Sequence, residues 1–298
     1  LAKQKLYPFF SILLPVYNRE SFLPNTLKSI FDQSFQDWEL VAVDDGSTDG
    51  SLEILESLKD PRVKVISQSN QGAGAARNTA IDQAKGQYLA FLDSDDIWEP
   101  NHLDSHYQEI HKQGYPVAFF RSFIKFLQNG QVTNAQPIID NTFDSSVEYA
   151  MQVALYPTAC TIHRNLFNEI RFNTKIKINI DAECFIRIAC ISQIYVIPQH
   201  TGYVLRHPGN LSVANVDNFM HQIEVWQQIG MYPEIKARLP KRYIRNLLAN
   251  YHFWIFSNSQ VSFSKGLNHL FLAIHLQPRI VFDSISWRII FKKIVSRK

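Results

Sequence analysis

The chain is poor in the residues that build disulfide frameworks and metal clusters. It has three cysteines, Cys160, Cys184 and Cys190, with no CxxC pair and no His/Cys ligand pattern among them. An odd, sparse set of thiols suggests reduced cysteines and a cytosolic setting, with burial as small apolar groups as their role. Charged residues make up 19% and hydrophobic residues 46%, which describes a globular chain and excludes a disordered one. Long apolar runs are missing: none approaches the roughly 20 residues needed to span a bilayer. The opening Lys3, Lys5 and Pro8-Phe-Phe-Ser-Ile-Leu-Leu-Pro15-Val imitates a signal peptide but lacks a small-residue cleavage site, so it reads as a first strand. Internal repeats and low-complexity segments are absent as well.

One region is short of acid. From Lys236 to Lys298 there are 12 Lys and Arg and a single acid, Asp283, a balance of +11. The net charge is +3, so the rest of the chain carries −8. A mildly acidic body with a strongly basic final region suggests an anionic partner for that region: lipid, a phosphate-rich acceptor or nucleic acid.

What is present is organised around Tyr88-Leu-Ala-Phe-Leu-Asp93-Ser-Asp95-Asp96-Ile-Trp98-Glu-Pro100. An apolar run ends in three carboxylates, Asp93, Asp95 and Asp96. A short apolar run bounded by a turn reads as a buried parallel strand. In open α/β sheets, ligands sit beyond the carboxyl ends of such strands. Carboxylates this close repel one another unless a cation lies between them. Oxygen ligands on a compact loop suit Mn²⁺ or Mg²⁺, which share their shell with substrate phosphates. The competing reading makes Asp96 the N-cap of a helix beginning near Pro100. Trp98 also has two readings: stacking on the face of a bound ligand, or a hydrophobic contact under the loop.

Strand–helix alternation runs from residue 9 to about 114. Strands are expected at 9–16, 38–43, 62–66 and 87–92, with helices at 21–34, after Thr48 or Asp49, and from the turn Gln71-Gly-Ala-Gly74-Ala-Ala-Arg77-Asn78 to Gly86. That turn is not GxGxxG and follows the third strand, so a dinucleotide site is disfavoured. Arg77 could pair with phosphate, or the Gly and Ala residues could simply pack a helix on the sheet. Beyond 115 a hairpin is expected at 116–126 and 131–136 around Asn129-Gly130. Helical patterns follow near 143–154 and 181–192, with short strands near 159–163, 194–198 and 202–206. From about 216 the chain reads as helices. The expected division is 1–214 and 215–298.

Four segments then coincide. Phe10-Ser-Ile-Leu-Leu-Pro-Val-Tyr-Asn18, Val43-Asp-Asp-Gly-Ser-Thr-Asp-Gly50, Gln71-Gly-Ala-Gly-Ala-Ala-Arg-Asn78 and Leu92-Asp-Ser-Asp-Asp96 resemble, in order, the successive motifs of family 2 glycosyltransferases. The resemblance covers residues 8–102 densely. It implies the α/β GT-A fold, a mostly parallel doubly wound sheet followed here by a mainly helical C-terminal region. It further implies a nucleotide-sugar donor, a divalent metal (Mn²⁺ or Mg²⁺) and inversion at the anomeric carbon. Carried over by position, Pro15, Tyr17 and Asp45 would hold the nucleobase, and Arg77 would lie near the base or diphosphate. Asp93 would face ribose and metal, Asp95 would be the direct metal ligand, and Asp44 would hydrogen-bond its turn.

The second half resembles the family more thinly. Members usually carry a Glu-Asp pair at a helix start, followed after six residues by Arg. In Asn179-Ile-Asp181-Ala-Glu183-Cys-Phe-Ile-Arg187, Ile180 replaces the Glu. Asp181 is the candidate base and Glu183 its rival; a third reading leaves Asp181 as a helix cap with Arg187 solvated. Tyr203-Val-Leu-Arg206-His207-Pro-Gly-Asn-Leu-Ser212 resembles a late Tyr-Arg-x-His-Pro-Gly-Ser segment, although here Arg and His are adjacent. His207 would be a metal ligand and Arg206 would neutralise the leaving diphosphate, against the reading of a plain loop histidine.

At the end, Trp287, Ile290, Phe291, Ile294 and Val295 share a helical face, with Arg288, Lys292 and Lys293 off it. That is the pattern of an interfacial basic helix, or of a helix packing its apolar face on the body. The resulting expectation is a UDP-sugar-dependent transferase, with dTDP and GDP as other possible bases. It would act on a saccharide or lipid-linked acceptor in cell-surface polysaccharide or glycolipid synthesis. Its place would be the cytoplasm, peripheral on the inner face of an anionic membrane. The alternative is a nucleotide-sugar-binding module without turnover. Nucleic acid is not an expected partner, because the basic residues are not interleaved with an exposed aromatic platform.

Overall fold

The apolar run after Pro8 forms β1 (Phe10–Val16), buried at every position. Strands flanked on both sides and covered on both faces need such unbroken apolar runs. The computed structural model describes residues 7–139, 145–207, 216–239, 241–257 and 263–278. After β1 come α1 (Leu23–Phe31), β2 (Trp38–Asp44), α2 (Ser51–Glu56), β3 (Val63–Ser67), α3 (Ala73–Gln83) and β4 (Tyr88–Phe91). Strands β3, β2, β1 and β4 lie side by side and parallel, with Val16 level with Asp44 and Leu13 level with Phe91. Their carboxyl ends therefore share one edge. Phe10, Ile12, Leu14, Leu27, Ile30 and Trp38 form the core between α1 and this part of the sheet.

The lead into β4 runs hard against β1. A Cβ on Gly86 would come within 2.5 Å of the Ser11 backbone nitrogen. No side chain fits there, so Gly86 serves strand packing; the helix expected to end at Gly86 ends at Gln83, with Ala84 already extended.

The sheet continues with reversed strands. β5 (Ile97–Trp98), α4 (His102–Lys112), β6 (Phe119–Gln128), β7 (Gln131–Ala135), α5 (Ser146–Gln152), β8 (Cys160–His163), α6 (Ile180–Ile191) and β9 (Ile194–Leu205) follow. Among the described residues the nine strands form one sheet in the order β3-β2-β1-β4-β8-β6-β9-β5, with β7 paired to β6. β8 is antiparallel to both β4 and β6, and β9 runs parallel to β6. The fold is α/β, with a mostly parallel, curled sheet. The hairpin β6–β7 is as expected. The short strands expected near 194–198 and 202–206 are one strand, β9, which crosses register shifts opposite Arg121–Ile124.

Asp96 does not cap the following helix. The N-cap position of α4 is Asn101, without a side-chain cap bond, and Asp96 is used elsewhere. The three cysteines are free and buried.

The chain divides into two compact units, residues 1–207 and 208–298. The boundary expected at 214/215 falls in 208–215, outside the described residues. In the second unit, α7 (Val216–Ile229), α8 (Pro233–Arg238), α9 (Lys241–Ser257) and α10 (Phe263–Leu276) are helical, as the sequence leads one to expect. α9 packs on α7 and α10, burying Ile229, Leu248, Ala249 and Ala273. The basic amphipathic segment at 287–298 lies outside the described residues. Among the described residues, no helix is long and apolar enough to cross a membrane.

Candidate active site

Parallel pairing brings the polar residues that follow β1, β2 and β4 to one edge. At the end of β1, Asn18 takes a left-handed conformation (φ 51°). Its side-chain oxygen accepts from Thr48 N at 2.8 Å, and its own N–H donates to Ser47 Oγ at 3.0 Å. The loops after β1 and β2 are thereby tied together. Pro15 sits in β1 opposite Val43, and Tyr17 is exposed beyond the strand end. Asp44 accepts from Ser47 N at 3.2 Å, the turn-holding role expected of it.

Asp45 is buried and takes three hydrogen bonds: from Gln68 Nε2 (2.7 Å), Gln71 N (3.0 Å) and Gly72 N (2.7 Å). It fixes the small-residue turn that opens α3. Gly72, with φ 89°, is the residue that makes that turn possible.

Arg77 rises from α3 to meet Asp93, with NH2 to Oδ1 at 2.5 Å. Arg77 is almost fully buried and Asp93 is half-exposed. Both of the other loop carboxylates point elsewhere. Asp95 Oδ2 receives Arg19 Nε at 3.1 Å and His207 Nε2 at 3.0 Å. His207 stacks on Phe22 with ring centroids 4.4 Å apart. Asp96 is 3% exposed and bonds Thr158 Oγ1 and Leu205 N. Burial, then the Asp93 and Asp95 charges, push its carboxyl well above the usual range.

Asp181 enters from the other side. It lies in the first turn of α6, whose N-cap Asn179 is left-handed (φ 56°). Burial raises its pKa, the Arg77 guanidinium lowers it, and the Asp93 carboxylate raises it again. Asp181 therefore lies close enough to the Arg77–Asp93 pair to feel both charges. A carboxyl raised in this way is a better proton acceptor than a solvated one once ionised. Glu183, its rival, is fully buried and paired with Arg187 NH1 at 3.1 Å. It holds α6 together and faces no cleft. Arg206 lies over the Phe126 ring at 4.3 Å, and its charge opposes the rise that burial gives the Tyr156 pKa.

Of the proposed metal ligands, the structure brings Asp95 and His207 together and turns Asp93 onto Arg77. Among the described residues no three His, Cys, Asp or Glu side chains form a ready-made metal centre. The donor set still suits a hard divalent ion: one carboxylate oxygen and one imidazole nitrogen meet there, and such ions take their remaining ligands from water and phosphate. Sequence reasoning passed over Arg19, whose only hint was its place directly after Tyr17-Asn18. It also passed over Thr158, for which no local signal exists. Trp98 is not a sugar platform: it is 2% exposed, stacked on His102 at 4.1 Å, with Nε1 donating to Thr158 O at 2.7 Å.

The sequence model of the family described as Glycosyl transferase family 2 matches residues 11–192. The chain belongs to glycosyltransferase family 2. Among similar proteins, glycosyltransferase GlyG of Streptococcus pneumoniae is 28% identical over 70% of this chain and 74% of its own. The putative teichuronic acid biosynthesis glycosyltransferase TuaG of Bacillus subtilis is 38% identical, over 38% of this chain and only 46% of that relative's length. The crystal structure of S. aureus TarS 1-349 in complex with UDP superposes with a TM-score of 0.67 at 25% identity, over 91% of this chain and 82% of that one. TarS has also been crystallised with UDP-GlcNAc. The match shows that the fold is GT-A.

Against the family pattern, Ile180 is the departure. Its Cγ2 would lie 3.1 Å from a Cβ placed on Gly74, so the side chain packs on the first turn of α3. An apolar contact stands where members usually have a carboxylate.

Proposed function

We propose that this chain transfers a sugar from a UDP-sugar to an acceptor hydroxyl of a growing polysaccharide, in one displacement that inverts the anomeric carbon. The observation that carries the reading is Asp181, poised beside the Arg77–Asp93 pair at the edge where β1, β2 and β4 end. The UDP and UDP-GlcNAc complexes of TarS support UDP as the donor base. TuaG and the chondroitin synthase of Escherichia coli, 40% identical over 113 residues, support a polysaccharide acceptor.

In this reading the loop after β1 and the Asp45-ordered turn form the nucleobase side of the cleft. Arg77 holds Asp93 oriented toward the ribose. Asp95 and His207 would hold Mn²⁺ or Mg²⁺. That ion, when bound, supplies positive charge for the leaving diphosphate. Arg206 adds a cation on the same side. Asp181 takes the proton of the acceptor hydroxyl as that oxygen attacks. Orientation of donor and acceptor within the cleft lowers the barrier by several kcal/mol, of the order of ~7 in well-aligned cases.

Ile180 favours one second reading, a donor-binding module without turnover, because the acidic neighbour of the base is missing. Thermal shift across UDP-, dTDP- and GDP-sugars, with and without Mn²⁺, separates the readings when followed by a transfer assay. A metal-dependent rise with UDP-sugars and release of UDP in the presence of acceptor is expected. Stabilisation by donor without release of UDP leaves the binding module. No shift with any donor defeats both.

A further inference from the structure

Asp96 is a buried carboxylate set directly after Asp95. Its bonds run in two directions. Oδ1 accepts from the backbone N–H of Leu205 at 3.1 Å, and Oδ2 accepts from the Thr158 hydroxyl. Leu205 is the last residue of β9, and His207 follows two residues later. Two adjacent loop residues thus grip two nearby points on one strand end: Asp95 takes His207 and Asp96 takes Leu205. Just beyond, Arg206 N donates to Leu127 O of β6 at 2.7 Å, so the grip acts on backbone that is already anchored.

Thr158 ties the loop a second time. Its hydroxyl serves Asp96, and its carbonyl accepts from Trp98 Nε1 at 2.7 Å. From the opposite side, Thr26 Oγ1 lies 2.8 Å from Asp96 O and 3.1 Å from Ser94 O. The loop 93–98 is therefore held from α1, from the turn before β8 and from β9, where β5 pairs with Gly202 and Tyr203 and Asp96 takes Leu205. Of these holds, the Asp96 link is the one nearest to His207 along the chain.

We propose that Asp96, with Thr158 as its partner, is a positioning residue that sets the spacing between Asp95 and His207 by clamping the loop after β4 to the end of β9. The proposal rests on the donor-site reading of Asp95 and His207 given above. Two acceptor atoms aimed at two donors explain why a carboxylate occupies a dry position where an apolar side chain would otherwise be cheaper. Asparagine can keep both links: its oxygen takes the Leu205 N–H, and its amide donates to a Thr158 hydroxyl turned to accept. Alanine loses both. Valine at 158 loses one at nearly constant volume.

The test uses the full chain and the variants Asp96→Asn, Asp96→Ala and Thr158→Val. Amide exchange over residues 203–207 is read by mass spectrometry, and Mn²⁺ affinity from the electron-spin resonance signal of free Mn²⁺. Asp96→Ala should speed exchange in 203–207 by about tenfold or more, the effect of losing one buried hydrogen bond, while amides of β1 and β2 keep their protection. Its Mn²⁺ affinity should fall by about 10- to 100-fold, the range found when partners of metal ligands are removed. Thr158→Val should shift both readouts less, and Asp96→Asn should stay near the parent. Exchange that is unchanged in 203–207, or raised evenly across the domain, overturns the proposal. So does an Asp96→Asn variant as damaged as Asp96→Ala. Should Asp96→Ala fail to fold, Thr158→Val decides by the same local-versus-even criterion. A parent chain that binds no Mn²⁺ counts against the metal reading of the site, and the exchange arm still decides the clamp.

Discussion

Replacing Asp181 by Asn is the most informative single change. It removes the proton acceptor at almost constant volume in the first turn of α6. General-base catalysis contributes about 10²- to 10⁴-fold, so kcat should fall by that factor, about 3–5 kcal/mol in the barrier. UDP affinity should stay within about twofold, since the proposed role of Asp181 is toward the acceptor hydroxyl and not the nucleotide. The pH profile gives a sharper check. Asp181 accepts a proton only when ionised, so kcat/KM rises with pH through its pKa. Burial sets that acid limb above an ordinary aspartate, Arg77 pulls it down and Asp93 pushes it up. Arg77→Met should therefore move the limb to higher pH and Asp93→Asn to lower pH, whatever each does to the maximal rate. The assay is UDP release from UDP-sugar in the presence of acceptor, across pH. Full activity in Asp181→Asn, or limbs that move together in the two neighbour variants, refutes Asp181 as the base.

Three further outcomes are expected. Trp98→Phe should cost about 1–3 kcal/mol in urea unfolding by orphaning the Thr158 carbonyl, with donor KM unchanged; a raised KM at full stability would restore the sugar-stacking role. Buried and facing each other, His102 and His106 have pKa values pushed below 6.5, His106 to about 3. The unfolded chain therefore binds more protons below pH 6.5, and stability falls as pH drops from there toward 3. His106→Gln should flatten that slope by about 2 kcal/mol between pH 6.5 and 5, and an unchanged slope would exclude His106 as its source. Removing residues from 284 onward should release the chain from anionic vesicles and leave UDP-sugar binding intact; undiminished vesicle binding would assign membrane attraction to another surface.

The parallel half of the fold was legible because its information is local. Apolar runs such as Phe10–Val16 and Trp38–Asp44 end in Asn18 and in Asp44-Asp45, and parallel pairing alone places those ends together. In the reversed half the hairpin, α5, α6 and β8 were legible but their pairing was not, and β5, only Ile97–Trp98, is defined by pairing to Tyr203 and Gly202 far along the chain. In the site, the positions of Arg77, Asp93 and Asp181 were readable from type and order. Which carboxylate meets which cation was not: Asp93 took Arg77 and Asp95 took Arg19 and His207, a choice made by side-chain reach across three elements. Asp96 looked like a cap or a ligand because sequence shows a carboxylate and hides its burial.

The path from α6 to β9 has a mechanical consequence. Asp181 stands where α6 starts and His207 just past the point where β9 stops, and only residues 192–193 join the two elements. β9 is zipped to β6 along most of its length, so the backbone that delivers His207 is braced by strand register, whereas Asp181 is delivered by a helix start behind the left-handed Asn179. In the proposed reading, adjustment to a new acceptor must then come from the loops, because a paired strand cannot slide by one residue without turning every side chain to the opposite face.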